Sequence, residues 1–202
     1  MRKDLFIPSF LAAVLGMHGA ALAGPDPNRG ALLLGGGVTQ DTASGVRAVA
    51  DSGFLWSLRL VSSTRRLLGV EASYTGTTQA LHAEGLSQDA KLLGTQLGAN
   101  LRFNAPLLFS ETLIEPFAFG GTGWARYDLY DASNNLSRIA ASDTLVVFPM
   151  GGGVAIAASG WILDARLTYR GTWNDVVVRS AAGVPLSMAT WSAEIALGAE
   201  LR

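Results

Sequence analysis

Thr190 to Arg202 decides the fold: it reads Thr-Trp-Ser-Ala-Glu-Ile-Ala-Leu-Gly-Ala-Glu-Leu-Arg. Trp191, Ala193, Ile195, Leu197, Ala199 and Leu201 fall on one face, and Thr190, Ser192, Glu194, Ala196, Gly198, Glu200 and Arg202 on the other. A period of two is the mark of a strand, whereas a helix repeats every 3.6 residues. The stretch from Trp161 to Asn174 does the same. Trp161, Leu163, Ala165, Leu167, Tyr169, Gly171 and Trp173 oppose Ile162, Asp164, Arg166, Thr168, Arg170, Thr172 and Asn174. Both stretches are longer than the roughly five to six residues common in soluble sheets.

Working outward, the same alternation recurs upstream. Leu68, Val70, Ala72 and Tyr74 oppose Gly69, Glu71, Ser73 and Thr75; Leu97, Ala99, Leu101 and Phe103 oppose Gln96, Gly98, Asn100 and Arg102. Phe54, Trp56, Leu58 and Leu60 oppose Ser57, Arg59 and Val61. Phe117, Phe119, Ala125, Tyr127 and Leu129 are set against Thr122, Trp124, Arg126 and Asp128, which leaves Trp124 as an aromatic anomaly on a polar face. Gly-rich apolar stretches at 31–40 and 144–158 bring the total to eight candidate strands. Long polar connections (Asp41 to Ser52, Gln79 to Ala90, Tyr130 to Asp143, Asp175 to Ser187) alternate with tighter ones at Ser62 to Arg66 and Ala158 to Gly160. Asn104 to Leu113, around Pro106, is a longer exception. Unlike ends of this kind belong to an antiparallel meander closed into a barrel.

Composition decides which face looks outward. Only 15% of the 202 residues are charged, against 49% hydrophobic, and the mean hydropathy is +0.30. Soluble domains carry about 25% charged residues. Beyond the N-terminus no apolar run reaches the roughly 18 residues that a spanning helix needs. The polar faces hold Gly, Ser, Thr, Asn, Gln and charges of both signs in place of the Lys and Glu of a wetted sheet. Lys91 is the one lysine after Lys3. Aromatic residues gather toward strand ends (Trp56, Phe103, Tyr127, Trp161, Trp173, Trp191), where the two lipid–water interfaces would lie. The expected order is therefore apolar face to lipid and polar face to lumen. The inward charges are then Arg59, Arg102, Arg126, Arg166 and Arg170 with Glu71, Asp128, Asp164, Glu194 and Glu200. Side chains just fill an eight-stranded barrel, and charges held there must pair. They read as an ion-pair plug.

The first 23 residues read as a cleavable signal peptide: basic Arg2 and Lys3, an apolar Leu5 to Leu15, and Ala21-Leu22-Ala23 at its end. Gly24 to Gly30 reads as a short leader, and 31–202 as the barrel.

The whole chain after the leader resembles the small outer-membrane β-barrel proteins of Gram-negative bacteria, of the OmpA transmembrane-domain type. The resemblance rests on Ala21-Leu22-Ala23, on the strand Phe117-Ala118-Phe119-Gly120-Gly121-Thr122-Gly123-Trp124, on Phe148-Pro149-Met150-Gly151-Gly152-Gly153-Val154, and on Trp191 to Leu201. It implies a cell outer-membrane location, insertion by the outer-membrane assembly machinery, short turns in the periplasm and long loops outside. Such barrels commonly end in an aromatic residue, whereas this chain ends Leu201-Arg202.

Other chemistries find little support. A net charge of −1 leaves no basic surplus for nucleic acid, and the absence of Cys removes thiolate metal sites and cysteine nucleophiles. A lipid A hydrolase would need a His, a Ser and a carboxylate in concert. His82, near Glu84 and Ser87, lies in a loop without the strand-borne His-x-Ser spacing of such enzymes. The Gly35 to Val38 and Gly151 to Val154 runs lack the strand-turn-helix setting of nucleotide loops. Asp128, Asp131, Asp143, Asn134 and Asn135 supply oxygen donors without calcium-loop spacing. The expectation is a monomeric, non-enzymatic barrel without cofactor or metal, in contact with outer-membrane lipid and lipopolysaccharide, its external ligand unspecified. The alternatives are a narrow solute channel, a lipid A-modifying hydrolase and a soluble binding barrel.

Overall fold

The computed structural model describes residues 29–62, 66–86, 90–109, 112–131, 137, 139–173, 177–179 and 185–201. The expected signal peptide, most of the leader, Ser87, Asn134, Asn135 and Arg202 lie outside these. The strands are β1 (Gly30–Asp41), β2 (Gly53–Ser62), β3 (Leu68–Ala80), β4 (Lys91–Asn104), β5 (Leu107–Phe109), β6 (Thr112–Tyr130), β7 (Ser142–Ala158), β8 (Trp161–Trp173), β9 (Val178–Arg179), β10 (Pro185–Leu186) and β11 (Thr190–Leu201), with a one-turn helix α1 (Ser44–Arg47). Eight of them, β1 to β4, β6 to β8 and β11, form an antiparallel meander that closes where β11 pairs with β1 from Thr190 opposite Asp41 to Leu201 opposite Gly30. β5 continues β4 past Ala105-Pro106 along the same edge of β6. The segment expected as a long link at 104–113 is thus mostly strand. β9 and β10 form a small ladder of their own.

The register fixes the barrel's shape. One row of paired residues runs from Trp173 on β8 through Val146, Trp124, Leu97, Tyr74, Leu58, Leu34 and Leu197, and returns to β8 at Leu163. The stagger is ten residues for eight strands, which corresponds to a strand tilt of about 40°. Every residue in this row is apolar or aromatic, and six of them (Trp173, Val146, Trp124, Leu34, Leu197, Leu163) are exposed. The row is an apolar strip that spirals down the outer wall from the loop end to the short-turn end. Trp161 and Phe103 stand outward near the short turns, and Trp173 and Trp191 outward near the loops. Trp56 is half-buried because its ring lies over Gly76 on β3, where a Cβ would come within 2.0 Å of it.

One strand departs from expectation. On β6 the faces are exchanged: Phe117, Phe119 and Ala125 point into the barrel and are buried, while Trp124 and Arg126 are exposed outside. Gly120, Gly121 and Gly123 carry no side chain to mark a face, so the strand's phase is set by what fills the lumen. Across the β6–β7 pairing Phe117 stands opposite Gly153 and Phe119 opposite Gly151. A Cβ on Gly153 would meet the Phe117 ring at 2.8 Å, and one on Gly151 the Phe119 ring at 3.0 Å. The glycines of β7 are the space into which the rings turn.

The interior has three layers. Near the short turns Ala31, Leu33, Val61, Leu113, Phe117, Phe119, Ala155, Ala157, Ile162 and Ala196 pack together. At the loop end Val46, Ala50, Leu81, Ala90, Leu92, Ala125, Ile139, Leu145, Val147, Val177, Val178 and Met188 form a second apolar cluster. Between the two lie the charges.

Candidate functional site

The middle layer is built on Asp164 of β8, whose neighbours two residues away, Ile162 and Arg166, also face inward. Its carboxylate is fully buried and accepts from three guanidinium groups: Arg59 Nη1 at 3.0 Å, Arg166 Nε at 3.0 Å and Arg102 Nη1 at 3.3 Å. Glu71 takes both terminal nitrogens of Arg166 at 2.9 Å, a two-pronged pairing that suits the planar guanidinium, and a third bond from Asn100 at 3.1 Å. Glu194 pairs with Arg59 Nη2 at 3.0 Å and accepts from the Ser57 hydroxyl. Arg102 donates to Asn104 at 2.7 Å and pairs with Glu115 at 3.0 Å. Its guanidinium carbon lies 3.6 Å from the centre of the Phe117 ring, and that of Arg166 lies 4.9 Å from the Phe119 ring. The inward phenyl rings therefore cover the ionic layer from below, where a flat cation stacks on the ring face.

Of the ten charges expected in the lumen, the structure brings Arg59, Glu71, Arg102, Asp164, Arg166 and Glu194 into one connected network. Glu200, with its side chain 3% exposed, pairs instead with Arg29 at 2.8 Å, at the short-turn end where β1 meets β11. Arg170 is buried on the loop side and donates to Ser192 at 2.6 Å. Two are corrected. Arg126 and Asp128 are on the outer wall, where Arg126 Nε donates to Asp128 at 2.9 Å, with the side chains 52% and 30% exposed. Trp124, two residues before Arg126, belongs to the spiral strip, and a tilted row falls by roughly 3 Å per strand. Arg126 therefore lies level with Trp173, at the outer edge of the apolar wall, where a charge costs little. Tyr127 is corrected with them: it is half-buried against the loop-end cluster rather than standing at an interface.

Sequence reasoning missed Glu115, because Pro116 and the link expected before Phe117 hid the start of β6. It missed Arg29 too, which falls in the expected leader yet ties the strand seam. With Phe117 assigned inward, alternation alone would have placed Glu115 and Leu113 beside it.

The loops converge over the barrel mouth. α1 contributes Val46, the segment after β3 Leu81, and the segment before β11 Met188, all nearly fully buried in the cap. Asp51 and His82 join the first and second loops by an exposed contact of 2.8 Å, supported by the His82 amide donating to the Val49 carbonyl at 2.7 Å. Asp143 accepts from the Thr144 amide, and Asp131 turns the chain with φ of 57°. Among the described residues no three potential metal-ligating side chains come together. The lumen cavities are small, about 10 Å³ beside Arg170 and Tyr127, about 20 Å³ beside Arg59 and Glu194, and about 10 Å³ beside Leu33 and Glu115.

No protein-family model and no curated protein matches the chain. Solved structures do resemble it. Ail, the attachment invasion locus protein of Yersinia pestis, in complex with the heparin analogue sucrose octasulfate, is 12% identical with a TM-score of 0.50, covering 86% of this chain and 99% of that one. Neisserial surface protein A is 17% identical with a TM-score of 0.49, covering 89% and 99%. The N-terminal β-barrel domain of Pseudomonas aeruginosa OprF is 10% identical with a TM-score of 0.47, covering 86% and 99%. At these identities the likeness is one of architecture: the chain folds as a closed eight-stranded barrel of the kind that small outer-membrane proteins share.

Proposed function

We propose that the chain is an integral outer-membrane barrel, monomeric and non-enzymatic, that serves as a scaffold and offers its packed loop cap for contacts outside the cell. The observation that carries this reading is the filled interior. Among the described residues apolar clusters pack at both ends, and interlocked ion pairs occupy the middle, where the cavity beside Arg59 and Glu194 measures about 20 Å³. A cavity of that size admits about one water molecule, so this reading is favoured over a solute channel. The exposed apolar strip supports direct contact with outer-membrane lipid and lipopolysaccharide, and the meander supports insertion by the assembly machinery. A hydrolase would need a nucleophile held by His82, whose described partner is the exposed carboxylate of Asp51.

Planar-bilayer recording of the purified barrel tests the reading. The expected trace is silent; stable unitary steps that survive repurification would replace the scaffold with a channel. Cell fractionation tests the location: extraction without detergent would remove the chain from the membrane.

A further inference from the structure

Arg170 is 8% exposed, and its Nε has no hydrogen-bond acceptor among the described residues. Among the described residues its guanidinium donates to the Ser192 hydroxyl, and no carboxylate pairs with it directly. Glu194, which lines a cavity together with Arg170, is engaged by Arg59 and Ser57. Glu194 attracts Arg170 only from beyond direct pairing, and a buried guanidinium nitrogen left without an acceptor is expensive. Two cavities adjoin this side chain. The larger, about 20 Å³, is also lined by Glu71 and Glu194, whose charge repels an anion. The smaller, about 10 Å³, has Arg170 as its charged lining residue, together with Thr75, Gln96 and Thr190, side chains able to donate to a small anion. Asp41, which follows Arg170 and Thr190 in the same row of paired residues, accepts from Gln79 at 2.9 Å.

We propose that the smaller cavity binds a single halide-sized monovalent anion, held by the guanidinium of Arg170 and neighbouring hydroxyl donors. The site lies under the loop cap, so the anion is enclosed when the barrel closes and stabilises the folded state alone. Ligands of the folded state raise its unfolding temperature in proportion to the logarithm of their concentration.

Sodium bromide is the probe, added to the full chain folded in detergent, with sodium gluconate at equal ionic strength as control because gluconate is too large for the cavity. The unfolding midpoint is expected to rise by about 3 °C per tenfold increase in bromide above half-saturation. Crystals grown in bromide should show an anomalous peak within hydrogen-bond reach of Arg170. Arg170→Gln should abolish the bromide dependence, and Arg126→Gln on the outer wall should preserve it. If Arg170→Gln does not fold, Thr190→Val keeps the cation and should weaken apparent bromide affinity several-fold. Equal midpoints in bromide and gluconate, or an ordered water with no anomalous signal at this position, overturn the proposal.

Discussion

Two arginine–carboxylate arrangements in this barrel have nearly the same bond lengths and opposite consequences. Asp164 gathers Arg59 and Arg166 at 3.0 Å with side-chain exposures between 0% and 4%; Arg126 meets Asp128 at 2.9 Å with the guanidinium half in solvent. Inside, removing one partner strands the others in a low-dielectric space, which costs about 3–5 kcal/mol. Outside, water replaces either partner, and such pairs contribute about 0–1 kcal/mol. Position in the wall, rather than geometry, sets what an ion pair does for the fold.

That contrast can be broken or sharpened by four measurements. Asp164→Ala leaves three guanidinium groups without their shared acceptor and should cost about 3–5 kcal/mol, read by urea titration of the folded barrel. A loss below 1 kcal/mol would mean that the lumen is wetter than its burial indicates. Leu81→Ala, deep in the cap, should cost about 2–3 kcal/mol of local packing. It should speed proteolysis within the loops while the barrel itself stays folded in cold detergent, read by gel migration with and without boiling, since the cap and the ionic layer are separate clusters. Phe117→Leu keeps most of the volume but loses the ring under Arg102, an effect of about 1–2 kcal/mol in the same urea titration. Arg126→Ala should change stability by less than 1 kcal/mol, and any effect should fade in high salt.

The sequence made the barrel legible because β8 and β11 alternate without interruption, and one such strand assigns its neighbours' faces through register. It also placed Arg59, Glu71, Arg102, Asp164, Arg166 and Glu194 on the inner wall, since each sits in a strand whose apolar residues set the phase. β6 misled for a physical reason. The apolar-outward rule assumes that lipid is the better solvent for a phenyl ring, yet Phe117 and Phe119 find glycine space and cation faces inside. The signal was present in a pairing no single strand reveals: Phe-Ala-Phe at 117–119 lies opposite Gly-Gly-Gly at 151–153. Had Trp124 been moved outward to relieve its anomaly, Arg126, Asp128 and Tyr127 would have followed. The cap was invisible for another reason, because Val46, Leu81 and Met188 are far apart in sequence and carry no periodicity.

The ten-residue stagger has one more consequence. If neighbouring strands slip by one residue, every side chain changes face and lipid rejects the charges. If they slip by two, each side chain stays on its face and lipid detects nothing. What changes is the reach across the lumen: Asp164 on β8 would no longer lie opposite arginines contributed by β2 and β4. The ionic layer thus acts as an error check for the mistakes that hydrophobicity cannot see, proofreading alignment to the residue while lipid proofreads only parity.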